Sequence, residues 1–294
     1  MIKVIVTGAT GFIGSNLVRK LVDQHYDVYI ICRKTSRLHN ISSYLNKIDI
    51  YRYDNNLSNL IGYFNEIKPD CIFHLASSVI VEHKPEDIDN LINSNLRFST
   101  HILEAMLQSG AKKIINTGTS WQHYENKKYN PVCLYAATKE AFEKLLEYYI
   151  EAENFKAITL KLFDTYGESD TRGKLINLLS KYSKDKKILE MSSSNQVMDL
   201  VHVDDVTEAY FKAYEYLNKK IDYTHEKFAV SSRRVITLKE LIEIYEKVAE
   251  KKLNIRWGAK PPRKREVFQL WSDYSLVPNW ETTLSLEEGL KRFE

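Results

Sequence analysis

The sequence predicts an α/β fold: a doubly wound, parallel sheet with helices on both faces, followed by a smaller C-terminal α/β lobe. Two observations carry this. Over residues 1–166, apolar runs of strand length alternate with amphipathic helical patterns, the order that produces right-handed crossovers and a sheet covered on both sides. The first run also enters a turn with glycines at regular spacing that opens a helix, the usual entrance to such a sheet.

The strands are read from KVIVT (3–7), VYIIC (28–32), IDIYRY (48–53), CIFHLA (71–76), KIINT (113–117) and AITLKLF (157–163). Helical spacing of apolar residues fills most of the intervals, as in 12–23 and 90–108. From Phe142, Leu145, Leu146, Tyr149 and Ile150 continue a helix whose first turns hold Tyr135 and Lys139. Past Gly167 the alternation weakens. A helix over 174–184, the run ILEM, one strand VMDLVHV (197–203), a helix from Asp204 to Leu217, the strand KFAVSS and two capped helices complete the chain. Thr237 with Glu240, and Ser285 with Glu288, have the spacing of capping boxes. Residues 1–166 are expected to form the nucleotide-binding domain, with 199–231 returning to it. Residues 167–198 and 232–294 are expected to form a substrate lobe, and the cleft between them to hold the ligand.

Composition narrows the class. The 294 residues are 44% hydrophobic and 28% charged, with a net charge of +3. That is ordinary for a globular protein and too little charge to argue for a nucleic-acid partner. No apolar run approaches a membrane span, and the N-terminus lacks the pattern of a signal peptide. Three scattered cysteines fit reduced thiols rather than disulfides or a zinc site. The expectation is a soluble cytoplasmic protein with no membrane partner.

The turn TGATGFIG places Gly8, Gly11 and Gly14 between a strand and a helix. Such glycines allow a sharp turn, close approach of a pyrophosphate, and tight helix–strand packing, with the helix N-terminus facing the phosphates. The second strand ends not in a carboxylate but in Cys32, followed by Arg33, Lys34, Thr35, Ser36 and Arg37. A carboxylate there serves the ribose hydroxyls of NAD, whereas Arg33 and Lys34 suit a 2′-phosphate, so NADP(H) is favoured over a merely solvated basic loop. Asp54 and Asn55, closing the third strand, are expected near the adenine.

At the end of the fifth strand stand Thr119, Ser120 and Trp121, and Tyr135 and Lys139 follow four residues apart on the next helix. A phenol and an ammonium then share one helix face at the sheet edge where ligands bind. Tyr and Lys at this spacing are common in ordinary helices, so their company decides the reading. His202, Asp204 and Asp205 fit a helix cap better than a metal site, and no metal is expected.

With these residues in view the chain resembles the extended short-chain dehydrogenase/reductases, the nucleotide-sugar epimerases, dehydratases and 4-reductases with a Rossmann-type domain. The resemblance rests on TGATGFIG, HLAS (74–77), Asn95, Thr119, YAATK, LFDTYG (162–167), DLVHVDDV (199–206) and LSLEEGLKRF (284–293). TGTSWQ, LFDTYGESDTRGKL and QVMDLVHVDDV are most similar to CDP-abequose and CDP-paratose synthases, which reduce a 4-keto-deoxyhexose. The resemblance implies Tyr135 as general acid, Lys139 lowering its pKa and holding the nicotinamide ribose, Thr119 bonding the ketone oxygen, and Asn95 supporting them. It further implies cofactor contacts from Thr10, Phe12 and Ile13, from Leu75 and Ala76, and from Phe163. For the nucleotide-sugar substrate it implies Ser77, Ser120 and Trp121, then Asp164, Leu175 and the cations Arg172, Lys174 and Arg265, with Arg263 a further candidate. A homodimer through the helix of Tyr135 and its neighbour is implied as well.

Two departures matter. Dehydratases of the family carry Asp-Glu after the catalytic Thr, where this chain has Ser120 and Trp121. Epimerases often carry an Arg where this chain has Met198. The expectation is an NADPH-dependent 4-ketoreductase for deoxysugar and surface-polysaccharide synthesis; the alternatives are an NAD-dependent 4-epimerase and a non-catalytic NADP-binding regulator.

Overall fold

The computed structural model describes residues 1–168 and 170–293. In chain order β1 (Lys3–Thr7) leads to α1 (Phe12–Asp23), β2 (Asp27–Arg33), β3 (Ile48–Tyr53), α2 (Leu57–Ile67) and β4 (Cys71–His74). Then come α3 (Ile88–Ile92), α4 (Phe98–Ser109), β5 (Lys113–Thr119), α5 (Leu134–Glu153), β6 (Lys156–Leu162) and β7 (Asp164–Tyr166). The remainder holds α6 (Leu175–Asp185), β8 (Leu189–Glu190), β9 (Val197–Met198), β10 (Leu200–His202), α7 (Val203–Asn218) and β11 (Thr224–Val230). It ends with β12 (Ile236–Thr237), α8 (Leu238–Ala249), β13 (Ile255–Arg256) and α9 (Leu286–Lys291).

Seven parallel strands form the main sheet in the order β11-β6-β5-β4-β1-β2-β3. Strand residues alternate between its faces. Val4 and Val6 pack with Leu17, Leu21 and Tyr210 of α1 and α7, while Ile5 packs with Phe64, Met106 and Phe142 of α2, α4 and α5. Each such side chain contributes about 1.5–3 kcal/mol by burial, so the sheet is clamped from both sides. A separate core of Ile176, Leu179, Leu241, Tyr245 and Leu290 holds the later elements together. The chain changes its direction of travel between β1 and β4, and a crevice opens at the carboxyl ends of these strands.

Two elements differ from the sequence expectation. The helix expected over 90–108 is interrupted by a π-turn, Asn93–Arg97, between α3 and α4. The strand expected over 197–203 is split at Asp199, whose carboxylate turns inward to accept from the Ser231 hydroxyl at 2.5 Å and the Ser232 hydroxyl at 2.6 Å. Met198 therefore pairs with Ile236 in a two-stranded antiparallel sheet. Leu200–His202 pairs with Asp164–Tyr166 instead of joining the main sheet. It is β11 that joins that sheet, beside β6.

Candidate active site

The cleft has a volume of about 1330 Å³ and runs from the glycine turn past the ends of β5 and β6 to α6 and residues 260–263. At its first end Gly8 has φ +71°, and a Cβ there would lie 2.7 Å from the Ala76 nitrogen. A Cβ on Gly14 would run into the Gly8 carbonyl oxygen. The turn is thus compressed between helix and strand. Gly11 is the N-cap of α1 and offers no side-chain cap, so the first-turn amides are left for an anionic ligand. Thr10, Phe12 and Ile13 line the same wall. This cradle, with the crevice beside it, fits the pyrophosphate of a dinucleotide.

Beyond the turn, Arg52 Nη1 donates to the carbonyls of Arg33 at 3.0 Å and Ser36 at 2.9 Å. It draws the basic segment into a loop that leaves Arg33 and Ser36 on the cleft. Lys34 is exposed and does not line it. Asn55 does, but Asp54 is turned to local partners: it accepts from the Asn56 backbone at 3.0 Å and from Asn59 Nδ2 at 2.6 Å. Tyr53, Arg97 and Phe98 stand on the wall here. Nothing in the sequence pointed to Arg97 or Phe98, because the π-turn sets their direction.

Thr119, Ser120, Trp121, Tyr135 and Ser77 meet at the centre of the cleft, with Leu75, Ala76 and Phe163 beside them. The Tyr135 phenol shares this part of the cleft wall with Ser77 and Thr119. Burial pushes this phenol well above its ordinary range; the Cys133 thiol adds to that, and Ser77, Arg172 and Thr119 oppose it. In the protein alone desolvation is the largest influence on this phenol. Lys139 is 1% exposed, behind the wall. Burial lowers its ammonium to about 8, against the pull of Glu143. At neutral pH the pair is a protonated phenol and a largely cationic amine.

Asn95 sits in the π-turn and is also buried. Its Oδ1 accepts from the Ser77 hydroxyl at 3.1 Å and the Ser78 backbone at 2.7 Å. Its Nδ2 donates to the Ser78 carbonyl at 3.0 Å and the Thr138 hydroxyl at 2.9 Å.

At the far end Asp164, Lys174 and Leu175 line the cleft with Arg172 and Arg263. Burial raises the Asp164 carboxyl, Lys174 and Arg263 work against that, and Asp199 adds to it. The Arg172 guanidinium forks onto the buried Asp170, both contacts at 2.7 Å, and lies 5.0 Å over the Phe12 ring. Arg265 turns elsewhere: it bonds Asn130 and covers the Tyr124 ring at 4.4 Å. Among the expected cations, Lys174 and Arg172 thus reach the cleft and Arg265 does not, whereas Arg263 does.

His202 caps α7 through the Asp204 backbone at 3.2 Å, and Asp205 accepts from the Thr283 hydroxyl at 2.7 Å. Among the described residues, no group of three or more His, Cys, Asp or Glu is placed to hold a metal, and no helix is long and apolar enough to cross a membrane.

Comparison with known proteins agrees with this geometry. A family model described as the NAD dependent epimerase/dehydratase family matches residues 4–225. The chain is 27% identical to a CDP-abequose synthase of Salmonella muenchen, over 99% of this chain and 96% of that one. It is 26% identical to a UDP-glucuronate 4-epimerase of Thermodesulfobacterium geofontis, over 98% of this chain and 94% of the other. A crystal structure of a Thermotoga maritima UDP-glucose 4-epimerase with UDP-glucose superposes with a TM-score of 0.87 at 25% identity, covering 99% and 97% of the two chains. The chain belongs to the NAD dependent epimerase/dehydratase family, the extended short-chain dehydrogenase/reductase type of nucleotide-sugar enzyme.

Proposed function

We propose that the protein is an NADPH-dependent reductase of the C4 ketone in a CDP- or dTDP-linked 4-keto-deoxyhexose. The observation that carries the reading is Arg33, together with Ser36, on the cleft wall where a carboxylate would serve NAD. Ser120 and Trp121 after Thr119 remove the acid pair a dehydratase needs, and the likeness to CDP-abequose synthase supports ketoreduction.

When bound, a reduced nicotinamide supplies the hydride that reaches C4. The protein's own part is the proton. Tyr135, held protonated by burial, donates to the C4 oxygen while the Thr119 hydroxyl bonds that oxygen as its negative charge grows. The phenolate left behind is stabilised by cationic Lys139 one turn along the helix. Asn55 and Arg33 hold the adenosine end. Lys174 and Arg263 provide charge for the substrate diphosphate, and Trp121 gives the sugar an apolar wall. A homodimer through the outward faces of α4 and α5 belongs to the same reading; Tyr148 there is 63% exposed.

Loss of reduced-nicotinamide absorbance on adding CDP- and dTDP-4-keto-6-deoxyhexoses or CDP-4-keto-3,6-dideoxyhexose, with NADPH and NADH in parallel, tests the reading. NADPH consumption that Tyr135→Phe abolishes is the expected result. Protein that purifies with NAD and consumes neither cofactor is a 4-epimerase instead, a reading that the epimerase relatives favour.

A further inference from the structure

Glu143 lies one helical turn beyond Lys139 and is 0% exposed. A carboxylate so buried has to be paired. Its Oε1 accepts from Gln122 Nε2 at 2.8 Å, and the same nitrogen donates to Glu140 Oε2 at 2.5 Å. The Gln122 Oε1 accepts the Thr119 backbone N–H at 2.9 Å. Gly118 makes room for this contact: a Cβ there would lie 2.9 Å from Gln122 Oε1 and 3.2 Å from Glu143 Oε1. One side chain thus ties the strand end bearing Thr119 to the helix bearing Tyr135 and Lys139.

Lysines from two strands flank the carboxylate. Lys227 of β11 is 2.9 Å from Glu143 and Lys161 of β6 is 3.7 Å from it. Lys161 also stands 3.7 Å from Glu140 and 2.8 Å from His123 Nε2. His225 of β11, near Glu147 at 3.9 Å, is kept neutral by burial, at about 4. From β4, His74 faces Lys139 and is neutral as well, lowered by burial to about 3. Glu143 and Lys139, four residues apart on α5, share one helix face, and the carboxylate works against the burial of the Lys139 ammonium. Neither Glu143 nor Gln122 lines the cleft.

We propose that Gln122 and Glu143 are positioning residues for proton transfer, Gln122 by fixing Thr119 against α5 and Glu143 by holding Lys139 in its cationic form. The inference rests on Thr119, Tyr135 and Lys139 acting as the proton-transfer group, not on which sugar is reduced.

The test uses the full chain labelled at the lysine ε-carbon, titrated by NMR without cofactor, with the Lys139 signal assigned by Lys139→Arg. In Glu143→Gln the Lys139 midpoint is expected to fall by about one pH unit, and the alkaline limb of kcat to move with it. Glu143→Asp restores both toward the wild-type values. Gln122→Met leaves the midpoint in place and lowers kcat by about 10-fold or more through misplacement of Thr119. A Glu143→Gln midpoint equal to that of the wild type overturns the charge role, and full kcat in Gln122→Met overturns the positioning role. Where Glu143→Gln fails to fold because Lys161 and Lys227 lose their partner, the double variant with Lys161→Met, compared with Lys161→Met alone, gives the same reading. A shifted midpoint in a protein that reduces none of the 4-ketosugars sinks the reductase reading and leaves this inference standing, with kcat then read on epimerisation. Reduction with an unmoved midpoint does the reverse.

Discussion

Asn95 Nδ2 donates to Thr138 Oγ1 at 2.9 Å, and Thr138 Oγ1 donates in turn to the Tyr135 carbonyl at 2.7 Å. A single amide thereby connects the loop after β4 to the first turn of α5. The π-turn is what presents it: the extra residue in that turn rotates Asn95 off the path of a regular helix. Asn95→Ala leaves the half-buried Ser78 backbone groups and Ser77 short of partners. We expect it to lower stability by about 1–3 kcal/mol and kcat by about 10-fold, measured by urea unfolding and initial rates. Asn95→Asp keeps the acceptor, loses the donor and falls between.

Lys139 carries a cost in the folded state. The gap between its ordinary 10.5 and about 8 corresponds to roughly 3 kcal/mol against the buried ammonium. Because the native state binds fewer protons than the unfolded chain between about 8 and 10.5, this group makes stability rise with pH across that window. Below it, the cost is present in full. Lys139→Met is therefore expected to fold at pH 7 at least as stably as the wild type, and to lose that rise. Its kcat should drop by about 100-fold or more. A variant as active as the wild type, or one that unfolds, would contradict this account.

These two residues also show what the sequence makes legible. YAATK gives the Tyr–Lys spacing, and the glycine turn and strand alternation give the sheet, because periodicity and backbone permissiveness are local properties. Asn95 was readable only as a match to a family pattern; its bonding depends on a π-turn with no local signature. Asp54 shows the converse. Its position after β3 pointed to a ligand, while the Asn56 and Asn59 donors two and five residues on took the carboxylate for the start of α2. Gln122 and Glu143 were missed because they matter only through three strands brought together by the fold.

The glycine turn separates packing from ligand approach. Gly14→Ala drives a methyl into the Gly8 carbonyl oxygen, whereas a Cβ on Gly11 meets that oxygen at 3.2 Å. Gly14→Ala is expected to weaken NADPH binding by about 100-fold or to destabilise the fold outright, and Gly11→Ala to do so by about 10-fold or less. Quenching of protein fluorescence on titration with NADPH distinguishes them.

Arg33 is exposed on the cleft rim and its side chain is not needed by the fold, since Arg52 holds the loop through backbone carbonyls. Arg33→Asp should leave the melting temperature within a degree or so of the wild type. It should raise KM for NADPH by about 10- to 100-fold by putting a carboxylate against a 2′-phosphate. KM for NADH should fall or hold. An unchanged NADPH preference would move cofactor selection to Ser36 and its neighbours.

Arg263 and Arg265 stand two residues apart yet face different surroundings, and this gives the sharpest test of the substrate end. Arg263 lines the cleft near Asp164 and Lys174, so Arg263→Ala removes a charge that would otherwise meet the diphosphate. KM for the nucleotide sugar should rise by about 10-fold or more, with melting temperature unaltered. Arg265 instead packs on the Tyr124 ring and bonds Asn130, fixing the segment after Trp121 to the C-terminal loop. Arg265→Ala is expected to cost about 1–2 kcal/mol in unfolding free energy, with KM altered much less than in Arg263→Ala. The reverse pattern, a KM effect at Arg265 and a stability effect at Arg263, would mean that the loop at 258–266 rearranges when substrate enters, and that the cation reaching the diphosphate is the one now facing away.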